Sequence, residues 1–197
     1  MVTESSNPPS RWNALVEIAE AYPTDPLVVT LGGTTRELAA LKRSPNHLYV
    51  LDSMGLPPAI GLGLALGLKD STFEKVVVLE GDGSLLMGFS TLATIGLTKP
   101  SNLVLIILDN GTYAATGNQP TAAVVVDFCL VARACGIEAR EVATIDELKD
   151  GLAWTRQSAG PVLLRVRIDN SSVRVPFLLE DPVHVGKVFA DYITAKK

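Results

Sequence analysis

An α/β fold, a single domain with a mostly parallel sheet flanked by helices, is the class this sequence predicts. Residues 75–80 and 102–108 are short apolar runs rich in β-branched residues, the pattern of strands buried on both faces. Runs of this kind alternate along the chain with apolar residues at helical spacing. Three strand-end loops combine glycine with hydroxyl or carboxyl side chains, and each opens a helix: Gly32-Gly33-Thr34-Thr35, Ser53-Met54-Gly55 and Gly81-Asp82-Gly83-Ser84.

The elements follow in order. Residues 1–9 read as a tail, and Ser10 as the N-cap of a helix in which Trp12, Leu15, Val16, Ala19 and Tyr22 recur at helical spacing. Pro23 and Pro26 end it. A strand over 27–31 leads to a helix over 36–42, and a strand over 47–51 to a helix over 57–68. Gly61, Gly63 and Gly67 lower helix propensity there and predict close packing against a helix or a ligand. The strand 75–80 leads to a helix over 85–97. After the strand 102–108, residues 114–121 lack periodicity and read as a functional loop. A helix over 124–134 stops at Gly136, followed by a strand at 137–142, a helix at 145–158 and a last strand at 161–168. The organisation is a tail (1–9), one ligand-binding domain (10–169) and a C-terminal tail (170–197) with a short helix near 183–193, packed across the domain or on a partner.

Bulk properties narrow the function. A net charge of −4 offers no basic excess for phosphate backbones, so nucleic acid is not an expected partner. No apolar run reaches membrane-spanning length and the N-terminus lacks a signal-peptide core, which together predict a cytoplasmic protein. Mean hydropathy of +0.29 hints at surface buried against a partner. Cys129 and Cys135 read as core thiols, and two cysteines cannot hold an iron–sulfur cluster alone. His47 and His184 read as ordinary strand-end or surface histidines, and Arg165 and Arg167 as ion-paired along a strand edge.

In an open α/β sheet, ligands sit beyond the carboxyl ends of the strands. Asp82 and Asn110 stand at two such ends, 28 residues apart, and face one crevice. Their oxygens suit a small hard cation such as Mg²⁺ bridging to a phosphorylated ligand. Free N–H groups in the three glycine loops favour phosphate.

These residues resemble a family. Gly81-Asp82-Gly83 followed by Asp109-Asn110 resembles the thiamine-diphosphate signature, a GDG and a later Asn pair whose first Asn is here Asp109. The resemblance implies thiamine diphosphate and Mg²⁺ as cofactors, with Asp82, Asn110 and the Thr112 carbonyl on the metal. It implies diphosphate contacts from Gly83 and Ser84, and a cofactor seat including Gly32, Gly33, Thr34, Thr35, Gly81 and Tyr113. Ser53-Met54-Gly55 resembles the segment whose apolar residue, here Met54, wedges thiamine into its V shape; Asp52 replaces that segment's first glycine.

Thr35-Arg36-Glu37-Leu38 and the run from Thr116 to Thr121 resemble the phosphonopyruvate and sulfopyruvate decarboxylases over residues 27 to about 170. Tyr113 stands where many phosphonopyruvate enzymes have His, and Ala115 where Ser is common. Tyr113, Thr116 and Gln119 are then the substrate-pocket candidates.

The family's chemistry also needs a Glu carried by a pyrimidine-binding domain. Glu37 reads as helix surface and Glu80 as a strand-end residue, so neither fills that role. The resemblance implies a partner (α) subunit that supplies the Glu, this chain being the β subunit of a hetero-oligomer acting on a small 2-oxo acid. A carboligase, a decarboxylase of another 2-oxo acid and a non-catalytic cofactor-binding regulatory subunit stand as alternatives. A dinucleotide-binding protein is disfavoured, because no G-x-G-x-x-G follows the first strand.

Overall fold

The computed structural model describes residues 7–196; the predicted tail over 1–9 falls mostly outside them, as does Lys197. The chain runs α1 (Arg11–Ala21), β1 (Leu27–Val29), α2 (Gly33–Leu41), β2 (His47–Tyr49), α3 (Pro57–Gly67), β3 (Val76–Gly81), α4 (Asp82–Met87), α5 (Thr91–Thr98) and β4 (Leu103–Asp109). It continues through β5 (Thr112–Tyr113), β6 (Gln119–Pro120), a 3₁₀ turn (Ala122–Val124), α6 (Phe128–Ala134), β7 (Glu138–Val142), α7 (Ile145–Gln157), β8 (Val162–Arg167) and α8 (Pro182–Lys196).

Six strands form one sheet in the order β2-β1-β3-β4-β8-β7, and every pair in it is parallel. β4 shows why its sequence is apolar throughout. Val104, Ile106 and Leu108 join the core on one face, under α1, α2 and α7. Leu103, Leu105 and Ile107 join the core on the other, under α3, α5 and α6. The two-residue period of a strand places alternate side chains in two separate hydrophobic layers.

Local chemistry sets the helix boundaries. Ser10 caps α1 by accepting from the Asn13 N–H at 3.1 Å. Thr144 and Glu147 form a reciprocal capping box at the start of α7. α8 extends beyond its predicted span and packs across the domain against β2, burying Val185 and Phe189.

Four expectations are corrected. α2 begins at Gly33, so the Gly32–Thr35 loop is largely its first turn. The single helix expected over 85–97 is two, broken at Gly88, where a Cβ would lie 2.0 Å from the Gly55 carbonyl oxygen. The helix expected from 124 starts at Phe128, because Asp127 caps it by accepting from the Leu130 N–H at 2.9 Å. Of the α3 glycines, only Gly61 meets a close neighbour, Val78 on β3; Gly63 and Gly67 have nothing within 4 Å of a Cβ position.

Candidate active site

The loops after β1, β3 and β4 enclose a cavity of about 410 Å³. It lies where the strand order reverses, with β2 on one side of β1 and β3 on the other. Thirteen predicted residues line it: Gly32, Gly33, Thr34, Met54, Gly81, Asp82, Gly83, Ser84, Asn110, Thr112, Tyr113, Thr116 and Gln119. Thr35, Ser53 and Gly55 do not line it. The Thr35 hydroxyl donates to the Thr30 carbonyl at 2.6 Å, and the Gly55 N–H donates to Ser84 Oγ at 2.9 Å.

Asp82 opens α4 and is buried. Its Oδ2 accepts from the Thr121 hydroxyl at 2.5 Å. Thr121 is itself anchored by its N–H, which donates to the Gly111 carbonyl at 2.9 Å. Burial pushes the Asp82 carboxyl up, the Thr121 bond pulls it down, and the neighbouring Asp109 charge pushes it up again.

Ser84 Oγ accepts both the Gly55 N–H and, at 3.3 Å, the Thr30 hydroxyl. Beneath it, burial pushes the Glu80 carboxyl up to about 7, against the hydroxyls of Thr30 and Ser84 and the Gly81 N–H.

The donor set fits a hard cation and an anionic ligand. Asp82, Asn110 and Thr112 all offer oxygen. Thr112 faces Pro120 across the β5–β6 hairpin, next to the bonded pair Gly111–Thr121, so by the alternation of an antiparallel ladder the Thr112 carbonyl points out of the hairpin. Among the described residues no three His, Cys, Asp or Glu cluster around a metal position. The set thus holds a single carboxylate, and a bound cation needs further oxygens from its ligand. Gly32 and Gly81 have nothing within 4 Å of a Cβ position, so both present bare backbone to the cavity.

The loop expected over 114–121 includes the return strand of a hairpin. Thr116 and Gln119 bond each other across its turn at 2.9 Å and sit exposed at the mouth. Tyr113 packs so closely on Gly83 that a Cβ there would lie 2.4 Å from its ring.

Several residues were invisible to sequence reasoning. Arg11 lines the cavity and pairs with Glu37 at 2.8 Å, which corrects the reading of Glu37 as helix surface: it is buried. A cation in the first turn of α1 opposes the helix dipole, and that was the one available hint of a tertiary role. Glu80 is fully buried, more than a strand-end residue.

Asp109 is buried under Arg165 at 2.6 Å and Arg167 at 3.1 Å, and its Oδ1 accepts from the Gly111 N–H at 2.9 Å. These arginines are ion-paired, as expected, but on β8 in the sheet interior and not at an edge. The two histidines of the chain share a second cavity, of about 310 Å³, beside Tyr49 and Glu180. His47 there is buried and not a surface residue.

Residues 31–166 match the family model described as thiamine pyrophosphate enzyme, C-terminal TPP binding domain. The chain is 41% identical over 167 residues to a phosphonopyruvate decarboxylase of Streptomyces viridochromogenes, covering 84% of this chain and 41% of that protein. It is 34% identical over 180 residues to a sulfopyruvate decarboxylase subunit beta of Methanococcus maripaludis, covering 91% of this chain and 95% of that subunit. The chain thus spans about two fifths of the first relative and nearly the whole of the second. Its fold matches the crystal structure of benzoylformate decarboxylase from Polynucleobacter necessarius at a TM-score of 0.71 and 20% identity, over 82% of this chain and 33% of that one. No described helix is long and apolar enough to cross a membrane. The chain belongs to the thiamine pyrophosphate enzyme family, through that family's C-terminal TPP-binding domain, and thiamine diphosphate is its cofactor.

Proposed function

We propose that this chain is the β-type subunit of a two-subunit, thiamine-diphosphate-dependent 2-oxo acid decarboxylase that converts sulfopyruvate or phosphonopyruvate to an aldehyde and carbon dioxide. The carrying observation is the set of carboxylates at the cavity. Among the described residues Asp82 is the one carboxylate lining it, while Glu37 is engaged by Arg11 and Glu80 is buried. The activating Glu is then the partner subunit's contribution. The match along nearly all of a subunit beta supports the same division.

When bound, thiamine diphosphate would supply a thiazolium ring that takes up the electron pair left behind when carbon dioxide departs. In this reading Asp82, Asn110 and the Thr112 carbonyl hold Mg²⁺ against the diphosphate. Gly83 and Ser84 donate to its oxygens, and Gly32, Gly33 and Thr34 offer backbone to it. Met54 supports the cofactor from the apolar wall, and Tyr113, Thr116 and Gln119 face the substrate. Thr35 and Gly55 act from behind, by fixing the loops. Ala114 and Ala115 line the same cavity and exclude water when a partner covers the mouth.

A second reading is favoured by one observation: Arg11 is the one cation lining the cavity among the described residues. A 2-oxo acid without a second acid group needs no other. The test is co-expression with a pyrimidine-domain subunit, followed by cofactor binding and aldehyde release. Aldehyde from sulfopyruvate or phosphonopyruvate supports the first reading, and turnover confined to a 2-oxo acid without a second acid group selects the second. Asp82→Ala should abolish Mg²⁺-dependent cofactor binding, and unchanged binding would overturn the metal assignment.

A further inference from the structure

Arg11 sits in the first turn of α1, and its side chain is 9% exposed. It reaches the cavity beside Gly33, where a Cβ would lie 2.1 Å from Nη1, so only glycine lets the guanidinium lie against the start of α2. Nη1 donates to Glu37 Oε1 at 2.8 Å, and among the described residues no other acceptor holds the side chain's N–H groups. Glu37 fixes the guanidinium through one oxygen, and its Oε2 is buried without a partner. A guanidinium that is buried, fixed and left with free donors in a cavity matches an oxyanion.

Its position selects which one. Arg11 lies against the loop after β1, whereas Tyr113, which faces the substrate in the proposed reading, follows β4, with β3 between those strands. The nine-residue α2 directs its N-terminal N–H groups into the same corner, and its N-cap Gly32 has a φ of 79° and makes no side-chain cap bond. Asp82, the cation ligand in the proposed reading, follows β3.

We propose that Arg11 binds the cofactor's terminal phosphate, beside the α2 N-terminus already assigned to the diphosphate, with Glu37 as the residue that positions Arg11. This rests on thiamine diphosphate occupying the cavity as proposed above. Oxyanions could come from the cofactor's phosphate or from the acid group of the substrate, and the test separates them.

Arg11→Gln alone leaves Glu37 buried and unpaired, so the decisive variant is Arg11→Gln with Glu37→Gln, which replaces the ion pair by an amide pair. The full chain, purified with any subunit that accompanies it, is titrated calorimetrically with Mg²⁺ and either thiamine diphosphate, thiamine monophosphate or ethylphosphonate. The expected result is at least tenfold weaker thiamine diphosphate binding in the double variant, thiamine monophosphate binding within twofold of the parent, and recovery of most of the loss in Arg11→Lys. Unchanged thiamine diphosphate affinity overturns the proposal. Loss of ethylphosphonate binding with diphosphate affinity intact also overturns it, and assigns Arg11 to the substrate. A parent protein that binds no thiamine diphosphate overturns the placement of the cofactor in this cavity, and the terminal-phosphate seat with it.

Discussion

The Thr121 hydroxyl holds Asp82 Oδ2 at 2.5 Å across 39 residues of sequence, tying the β5–β6 hairpin to the carboxylate at the end of β3. Asp82 is otherwise pushed toward its neutral form by burial and by the charge of Asp109. A hydrogen bond to the charged form works in the opposite direction and also fixes the carboxylate's orientation. Thr121→Val keeps the shape and removes the donor. It should weaken Mg²⁺-dependent cofactor binding by about 1–2 kcal/mol, roughly tenfold, while Thr121→Ser retains affinity. Calorimetric titration with Mg²⁺ and thiamine diphosphate checks this, and equal affinities for Val and Ser would rule out the bond as the cause.

Gly55 and Gly88 meet backbone to backbone, and a methyl group at Gly88 would lie 2.0 Å from the Gly55 carbonyl oxygen. The contact joins the Met54 loop to the break between α4 and α5. Gly88→Ala must push the two segments apart, with an expected loss of about 1–3 kcal/mol in chemical denaturation. Gly63→Ala, at a position with open space around it, serves as the control and should be neutral or slightly stabilising. A Gly88→Ala midpoint matching the parent's would show that the loops yield freely.

Asp109 carries the charge where the family signature has its first Asn. Restoring the signature by Asp109→Asn would leave Arg165, 3% exposed, with Glu141 alone as its carboxylate partner. Removing one partner of a buried pair destabilises by about 3–5 kcal/mol. The expected outcome is a less stable protein, read from the denaturation midpoint, although the variant resembles the general signature more closely.

Acid sensitivity should trace in part to His47. Burial, reinforced by Lys42, pulls its imidazole from 6.5 down to about 4 in the folded chain. Between those values the unfolded imidazole takes up a proton and the folded one does not, so stability falls as pH drops through this window. The full contribution is about 3 kcal/mol. Glu80, raised to about 7, has the opposite sign: the folded carboxyl keeps its proton while the unfolded one loses it, so stability rises as pH drops from 7 toward 4.5. Comparing parent and His47→Gln melts at pH 7.5 and 5 isolates the histidine's share. The variant should lose less stability on acidification, and parallel losses would refute the assignment.

Local pattern is enough for the layered α/β class, for each strand of the six-stranded sheet, and for the placement of Gly81–Ser84 and Asn110 at the ends of adjacent strands. These properties are legible because period-two and period-3.6 patterns, turn residues and caps such as Ser10 and Thr144 act over a few residues. Only the tertiary structure decided which polar groups meet: Arg11 with Glu37, Thr121 with Asp82, Asp109 with Arg165, and His47 in one cavity with His184. It also split α4 from α5, because Gly88 answers to Gly55 and not to its own helix. Each of these depends on the order β2-β1-β3-β4-β8-β7, which brings distant segments together and requires buried charges and donors to find partners there. Periodicity tells a strand that it is buried on both faces; it does not name the strand beside it or the side chain waiting at its end.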